Sequence, residues 1–358
     1  MRIIYFGSYW TGYGGTEFDV RTMLTHLARR GYKCIHIGYS GAADRGGAHR
    51  TFEQEGVEVV YFEGVSPNIS ARLSDSRAAA LKALKDTISS NDILITIFLP
   101  ELEAWRIARE AGAKVIQKYA IVEDGYDPKE WKDLVDLHVF NSDFCCRWWM
   151  DRGLEGFNMV IHPEIDIERS SSEYMIEDGC IGLVHPSRHK GLEIVEGLAR
   201  AFRDEKFLSV GGWSVKESKE GPGGALIEYT GHIEDISEFY KRLKVLLVPT
   251  QDEHTETFGR IVLEGMCHGI PVIASDKDGL PEAADGAAVL VKDYDRLHDW
   301  VSALRDMLEE GNLKRYHERS LLRADRYNLR LLITRWEIAF NVLGGSRIEV
   351  VGCDGSKK

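Results

Sequence analysis

Short apolar runs alternate with amphipathic stretches along most of the chain. Ile3 to Phe6 is apolar and ends at Gly7, and the loop TGYGGTE at 11–17 leads into a helical pattern from Phe18 to Arg30. Leu24, Leu27 and Ala28 lie on its apolar face, and Gly31 suits its C-cap. KCIHIG at 33–38 and VEVVYF at 57–62 predict the next two strands. The same reading gives a helix over 74–89, a strand over 93–98, a helix over 101–111, and strands over 115–119 and 137–140. The stretch NMVIHPEID at 158–166 reads as the last strand of this half and its exit. Strand, helix and strand at this spacing predict a parallel sheet covered on both faces.

The alternation then restarts. Cys180 to Val184 predicts a strand, followed by HPSRHKG at 185–191 and a helix over 192–203. Strands are predicted over 208–210, 227–229, 245–248 and 272–274. Helices are predicted from Asp235 to about Leu243 and over 259–268, 294–309, 311–326 and 329–343. Residues 213–225 form a Gly- and charge-rich excursion, and RSSSEYMIED at 169–178 is the expected linker. The fold class is α/β, with two Rossmann-like doubly wound domains facing across a cleft. The expected boundaries are 1–168, 169–328, a helix over 329–345 packing back on the first domain, and a frayed tail over 346–358. In such sheets, ligands sit at the carboxyl ends of the strands.

Composition narrows the function classes. The 358 residues suit two cores rather than one, and 44% hydrophobic with 28% charged content describes a globular chain. A formal net charge of −12 without a dense Lys/Arg patch argues against nucleic acid as a partner and weakens attraction to anionic lipid. Six scattered cysteines with no CxxC pair read as reduced thiols of a cytoplasmic protein. No stretch has the length of a membrane span, and Met1 to Gly7 reads as a first strand rather than a signal peptide. Peripheral contact with a membrane surface stays open.

Three segments carry candidate chemistry. GGTE at 14–17 sits between the first strand and helix, where glycines admit close backbone approach to a ligand and also serve the turn's shape. The loop has no GxGxxG, which disfavours a nicotinamide or flavin site. Arg188 and Lys190 flank a helix N-terminus, an arrangement suited to a diphosphate but also ordinary for exposed loop charges. His185 and His189 share that loop without a third metal ligand at a convincing spacing. Glu256 and Glu264 bracket ETFGRIVLE at 256–264. Carboxylates accept hydrogen bonds from adjacent hydroxyls of a polyol, while amides at 258 and 259 face a helix start. As a bare pair they read first as a capping and a solvent-facing glutamate.

The pieces together resemble the retaining GT-B nucleotide-sugar glycosyltransferases of the family 4 type, the glycosyl transferases group 1. The resemblance rests on GGTE at 14–17, IHPEID at 161–166, HPSRHKG at 185–191, TGHI at 230–233, VPT at 248–250, ETFGRIVLE at 256–264, GIPVIAS at 269–275 and DGLPE at 278–282. It implies that Glu256 contacts the donor hexose, while Phe258, Gly259 and Arg260 border the sugar and phosphates. Glu264 would hold the ribose, and Lys190 with Arg188 would bind the diphosphate and stabilise the leaving nucleotide. Gly15 would let its loop approach the phosphate, with Thr16 and Glu17 beside it. The donor would be a UDP-, GDP- or ADP-linked hexose, the acceptor a hydroxyl of a small molecule or glycan, and no metal or cofactor would be needed. Retention would follow front-face attack, the acceptor proton passing to the donor phosphate.

Two departures stand out. Only His189 separates Arg188 from Lys190, a shorter spacing than the family's, and no histidine follows the strand at 115–119. Lys118, Tyr119 and Glu123 are the candidates to replace that histidine's contacts. FCCRWWM at 144–150 reads as core packing, and Asp276 with Asp278 as a DxD by letters that lines the donor loop without metal. The rival readings are an epimerase or phosphorylase-like enzyme and a non-catalytic binder of nucleotide sugar or glycan.

Overall fold

The structure is a computed structural model. It describes residues 1–7, 15–40, 49–64, 68–98, 100–131, 133–165, 178–211, 226–233, 235–327 and 329–344. The glycine loop at 11–14, most of the expected linker, the excursion at 213–225 and the tail lie outside the described residues. The chain divides into two compact units. One contains Met1–Asn141, Cys145–Glu164 and the residues from Leu329 onward, and the other contains Ser142–Phe144 and Ile165–Asn328.

The first unit is built on β1 (Arg2–Gly7), β2 (Lys33–Ser40), β3 (His49–Gln54), β4 (Val57–Glu63), β5 (Asp92–Ile97), β6 (Lys114–Tyr119), β7 (Leu137–Phe140) and β8 (Asn158–Val160). Their order in the sheet is β3-β4-β2-β1-β5-β6-β7-β8. Every pairing is parallel except β3 with β4. Helices α1 (Gly15–Arg29), α2 (Ile69–Thr87), α3 (Leu102–Glu110) and α4 (Asp143–Met150) connect the strands. Strand periodicity of two sorts the side chains into two cores. Ile3, Tyr5, Ile93, Ile95 and Ile116 pack with α1, whereas Ile4, Phe6, Leu94, Val115 and Tyr119 pack with α2 and α3. Cys145 and Trp149 of α4 join the second of these cores.

The chain's last described helix, α11 (Leu329–Leu343), completes the first core. Its Ile333, Trp336, Ala339 and Phe340 are buried there, and Phe340 meets Tyr32 edge-on at 5.6 Å. Sequence pattern does not reveal β3, because HRTFEQ is almost wholly exposed on the sheet edge and lacks apolar alternation. Its hairpin is set by Glu55 and Gly56, both at positive φ (52° and 80°), the conformation that a two-residue type I′ turn demands.

The second unit carries β9 (Cys180–Val184), β10 (Phe207–Val210), β11 (Glu228–Tyr229), β12 (Leu243–Val248), β13 (Val272–Ser275) and β14 (Val289–Val291). They form an all-parallel sheet in the order β11-β10-β9-β12-β13-β14. Around it lie α5 (Leu192–Ala201), α6 (Ser237–Tyr240), α7 (Arg260–Cys267), α8 (Leu280–Ala284), α9 (Leu297–Met307) and α10 (Asn312–Arg326). Ile181, Leu183, Val245, Leu247 and Ile273 pack against α5 and α9. Two short elements, α8 and β14, escape the sequence reading because each is below the length at which periodicity registers. The strand order reverses between β9 and β12, the topological position where doubly wound sheets hold ligands.

A buried ionic cluster ties the first unit together. Lys118 on β6 is fully buried, and its Nζ donates to Asp19 Oδ2 at 2.6 Å and Glu164 Oε2 at 2.9 Å. Asp19 Oδ1 accepts from the Glu164 amide at 2.6 Å, and Trp336 Nε1 donates to Glu164 Oε1. One cluster thus joins α1, β6, the segment after β8 and α11. Burial and the neighbouring Asp19 push the Glu164 carboxyl well above the usual range. Removing one partner from a buried ion cluster strands the others and costs about 3–5 kcal/mol. Lys118→Met therefore lowers the first unit's urea midpoint and exposes the amides of α11 and β6 to hydrogen exchange. A midpoint unchanged from the parent would show that the cluster carries no such constraint.

Candidate functional site

The candidate residues of the second unit come together around the loops after β9, β12 and β13. After β9 the chain makes a 3-10 turn at Arg188–Lys190, and Gly191 at φ 78° starts α5. A Cβ at Gly191 would lie 2.1 Å from the Pro249 carbonyl oxygen, so only glycine lets this turn sit against the end of β12. The Gln251 amide donates to the His189 carbonyl at 3.0 Å and fastens the two loops. Lys190 Nζ then reaches the Glu256 carboxylate in an ion pair.

Glu256 is also fixed through its backbone. Its amide donates to Asp278 Oδ2 at 3.2 Å, and its carbonyl accepts from the Gly279 amide at 2.9 Å. A Cβ at Gly279 would lie 2.3 Å from the Thr257 oxygen, which explains why DGLPE needs glycine where α8 abuts this loop. Asp278 is a backbone acceptor and an ion-pair partner of Lys277 at 3.2 Å. Among the described residues no group of three or more His, Cys, Asp or Glu is placed to hold a metal ion.

Gly259 forms the N-cap of α7 at φ 92° and ψ 56°, so the helix opens without a side-chain cap. The Val262 amide closes on the Gly259 carbonyl at 3.0 Å, and the first turn adds the positive end of the helix dipole to the charge of Lys190. Phe258 is buried and packs on Tyr327 with ring centroids 6.0 Å apart, which leaves its backbone rather than its ring to meet a ligand. Eight positions after Glu256, Glu264 lies on α7. Its Oε1 is 3.3 Å from Arg260 Nε, and its Oε2 accepts from the Tyr240 hydroxyl at 3.1 Å. Tyr240 stacks on His268 at 4.8 Å, and His268 Nδ1 bonds the Glu264 carbonyl at 2.9 Å. Glu264 is therefore a held carboxylate with its side chain 21% exposed.

Electrostatics separates Glu256 from an ordinary surface acid. Burial pushes the Glu256 carboxyl upward, but Lys190 and His254 outweigh it and bring it down to about 2. The folded pKa lies below the reference value of 4.5, so the ionised form adds stability that is present above about pH 4.5 and lost as the pH falls toward 2. Replacing Glu256 by Gln removes this slope. The urea midpoints of the parent and Glu256→Gln, different near neutral pH, draw together as the pH is lowered from about 4.5 toward 2. A constant gap would mean that the carboxylate is not held ionised by its neighbours.

Arg188 stands apart from this group. Its side chain is 78% exposed and lies 3.8 Å from Glu193 and 4.0 Å from Glu253, so among the described residues Lys190 rather than Arg188 lies on Glu256. Gly15, Thr16 and Glu17 form the first turn of α1 in the first unit. Glu123 is exposed in the loop after β6. Lys118 and Tyr119 need correcting as candidate ligand contacts. They point to opposite faces of β6, and both side chains are fully buried. Lys118 is held by Asp19 and Glu164, while Tyr119 stacks on Phe140 at 4.9 Å and shares a hydrogen bond with His138 at 3.0 Å. Sequence reasoning passed over Tyr240 on α6, His254 in the loop after β12 and Lys277 in the loop after β13, which packing brings to these glutamates.

Residues 179–310 match the family model for glycosyl transferases group 1. The sulfoquinovosyl transferase SQD2 of Arabidopsis thaliana is 26% identical over 191 residues, a stretch covering 50% of this chain and 36% of that protein. A D-inositol 3-phosphate glycosyltransferase of Paenarthrobacter aurescens (strain TC1) is 23% identical over 181 residues, covering 49% of this chain and 42% of that one. The chain thus spans less than half the length of these curated relatives. Two solved structures are similar over nearly the whole chain. A glycosyltransferase from Rickettsia africae ESF-5 has a TM-score of 0.73 at 14% identity, covering 95% of this chain and 97% of that one. Anabaena Alr3699/HepE, solved with UDP and glucose, has a TM-score of 0.70 at 13% identity, covering 95% and 99%. At such identities the likeness shows the fold, which is GT-B with two Rossmann-like domains. Over residues 179–310, the chain is similar to the glycosyl transferases group 1 family.

Proposed function

We propose that the chain is a retaining glycosyltransferase that moves a hexose from a nucleoside diphosphate sugar to an acceptor hydroxyl. The observation that carries this reading is the Lys190–Glu256 pair beside the open N-terminus of α7, with Glu264 on the same helix. A diphosphate would take the ammonium of Lys190 and the first-turn amides of α7, which stabilise charge on the departing nucleotide without a metal ion. The ionised Glu256 would accept hydrogen bonds from hexose hydroxyls, and Glu264, steadied by Tyr240 and Arg260, from the ribose. The relatives that match this stretch are named as sugar transferases, and Anabaena Alr3699/HepE was solved with UDP and glucose. Retention rests on the resemblance in the 256–264 segment. The donor's nucleotide is UDP, GDP or ADP, and the acceptor is a small molecule or glycan hydroxyl.

No helix among the described residues is long and apolar enough to cross a membrane. This fits a cytoplasmic enzyme, including one that works at a membrane surface.

A panel of UDP-, GDP- and ADP-hexoses, ranked by thermal shift and then assayed with candidate acceptors, tests the reaction. Free nucleoside diphosphate rises only with acceptor present, and the product keeps the donor's anomeric configuration by NMR. Tight donor binding with no turnover under any acceptor would favour the binder instead. Lys190→Ala lowers kcat by about 100- to 1,000-fold, the scale on which loss of one preorganised charge stabiliser is felt. Glu264→Ala weakens donor binding by about 10- to 100-fold, as expected for a lost charged hydrogen bond. Normal kinetics in both variants would remove the site from consideration.

A further inference from the structure

Two side-chain nitrogens converge on one oxygen of Glu256. Lys190 Nζ pairs with Oε1, and His254 Nε2 lies 3.5 Å from the same atom. This inference rests on the proposed glycosyl-transfer reading, in which Lys190 has a second task. A diphosphate carries more charge than one carboxylate, so an ammonium that engages it loosens its hold on Glu256. The carboxylate must then keep its place against the hexose by other means.

The surrounding groups narrow the choice. Asp278 accepts from the Glu256 amide and, being an anion, repels its carboxylate. Lys277 Nζ donates to the carbonyls of Gln251 at 3.0 Å and His254 at 2.8 Å, and it pairs with Asp278. Arg188 lies out among Glu193 and Glu253. His189 Nε2 meets Ser187 Oγ at 3.3 Å, and His185 stands behind it at a ring distance of 6.1 Å. His254 is left, and it is well anchored. Its amide donates to the Gln251 carbonyl at 3.2 Å, Lys277 grips its carbonyl, and its ring lies 5.3 Å from that of His189. Its side chain is 37% exposed, so it is not merely filling a core.

We propose that His254 is a positioning residue that holds the Glu256 carboxylate for the hexose hydroxyls while Lys190 engages the diphosphate. The imidazole needs only to offer Nε2–H toward Oε1. A neutral amide at the same reach serves the same end, whereas a methyl group does not.

The test uses the full chain and calorimetry with UDP, GDP and ADP, each free and as its glucose conjugate. His254→Ala leaves affinity for the free diphosphate within about two-fold and weakens the sugar conjugate about ten-fold, the scale of one hydrogen bond to a charged group. His254→Gln recovers most of that loss. Equal weakening of both ligands, or an unchanged conjugate, overturns the proposal. If the parent protein binds none of these ligands, the glycosyl-transfer reading fails first. A second measurement then judges His254 alone, the titration of the Glu256 carboxylate by NMR in a Lys190→Met background. The carboxyl stays below the usual range with His254 present and rises on His254→Ala. A carboxyl already restored to the ordinary range by Lys190→Met would overturn the role of His254 whatever the ligands do.

Discussion

The candidate site depends on one ion pair placed where a helix begins without a cap. Lys190 and Glu256 come from loops far apart in sequence, and Gly191 and Gly279 bring those loops into contact. Each glycine lies against a backbone oxygen at a distance no Cβ could tolerate. Gly259 supplies the left-handed turn that opens α7 toward the pair. The result is a compact arrangement of one cation, one ionised carboxylate and the start of a helix. It is suited to a ligand that carries both phosphate charge and hydroxyl groups.

The first unit solves a different problem with similar materials. Lys118, Asp19 and Glu164 are buried away from water, where charge is costly unless it is paired and hydrogen-bonded. Their cluster ties the N-terminal helix, a central strand, the exit after β8 and the C-terminal helix to one point. A hydrophobic substitute of similar volume would fill the space but would not specify which four segments meet there. Ionic contacts in this protein therefore appear in two roles. In one unit they fix an assembly of segments, and in the other they hold a carboxylate ionised at a solvent-reachable edge.

The comparisons place the two units unequally. The family match falls on the second unit, where the motifs ETFGRIVLE and DGLPE make their contacts. The first unit is supported by whole-chain similarity of fold at low identity. This is the division expected if the second unit holds the common donor and the first is fitted to a particular acceptor. In the proposed reading, the shared chemistry is the diphosphate hexose, and the difference between members lies in what receives the sugar.

Sequence alone determined the α/β class, most strands and the last helix, because apolar runs of four to six residues and helical periods are written locally. It also marked Glu256, Glu264 and Lys190, since a motif carries its own spacing. The edge strand β3 was invisible because an exposed strand needs no apolar residues, and α8 and β14 were too short to show a period. Only the tertiary structure decided between the two cations of HPSRHKG, by turning Lys190 onto Glu256 and leaving Arg188 in solvent. It likewise buried the side chains of Lys118 and Tyr119, because alternate residues of a central strand face opposite cores. Which side chains share a point in space depends on how loops cross, and a loop's path is set by contacts distant in sequence rather than by its own letters.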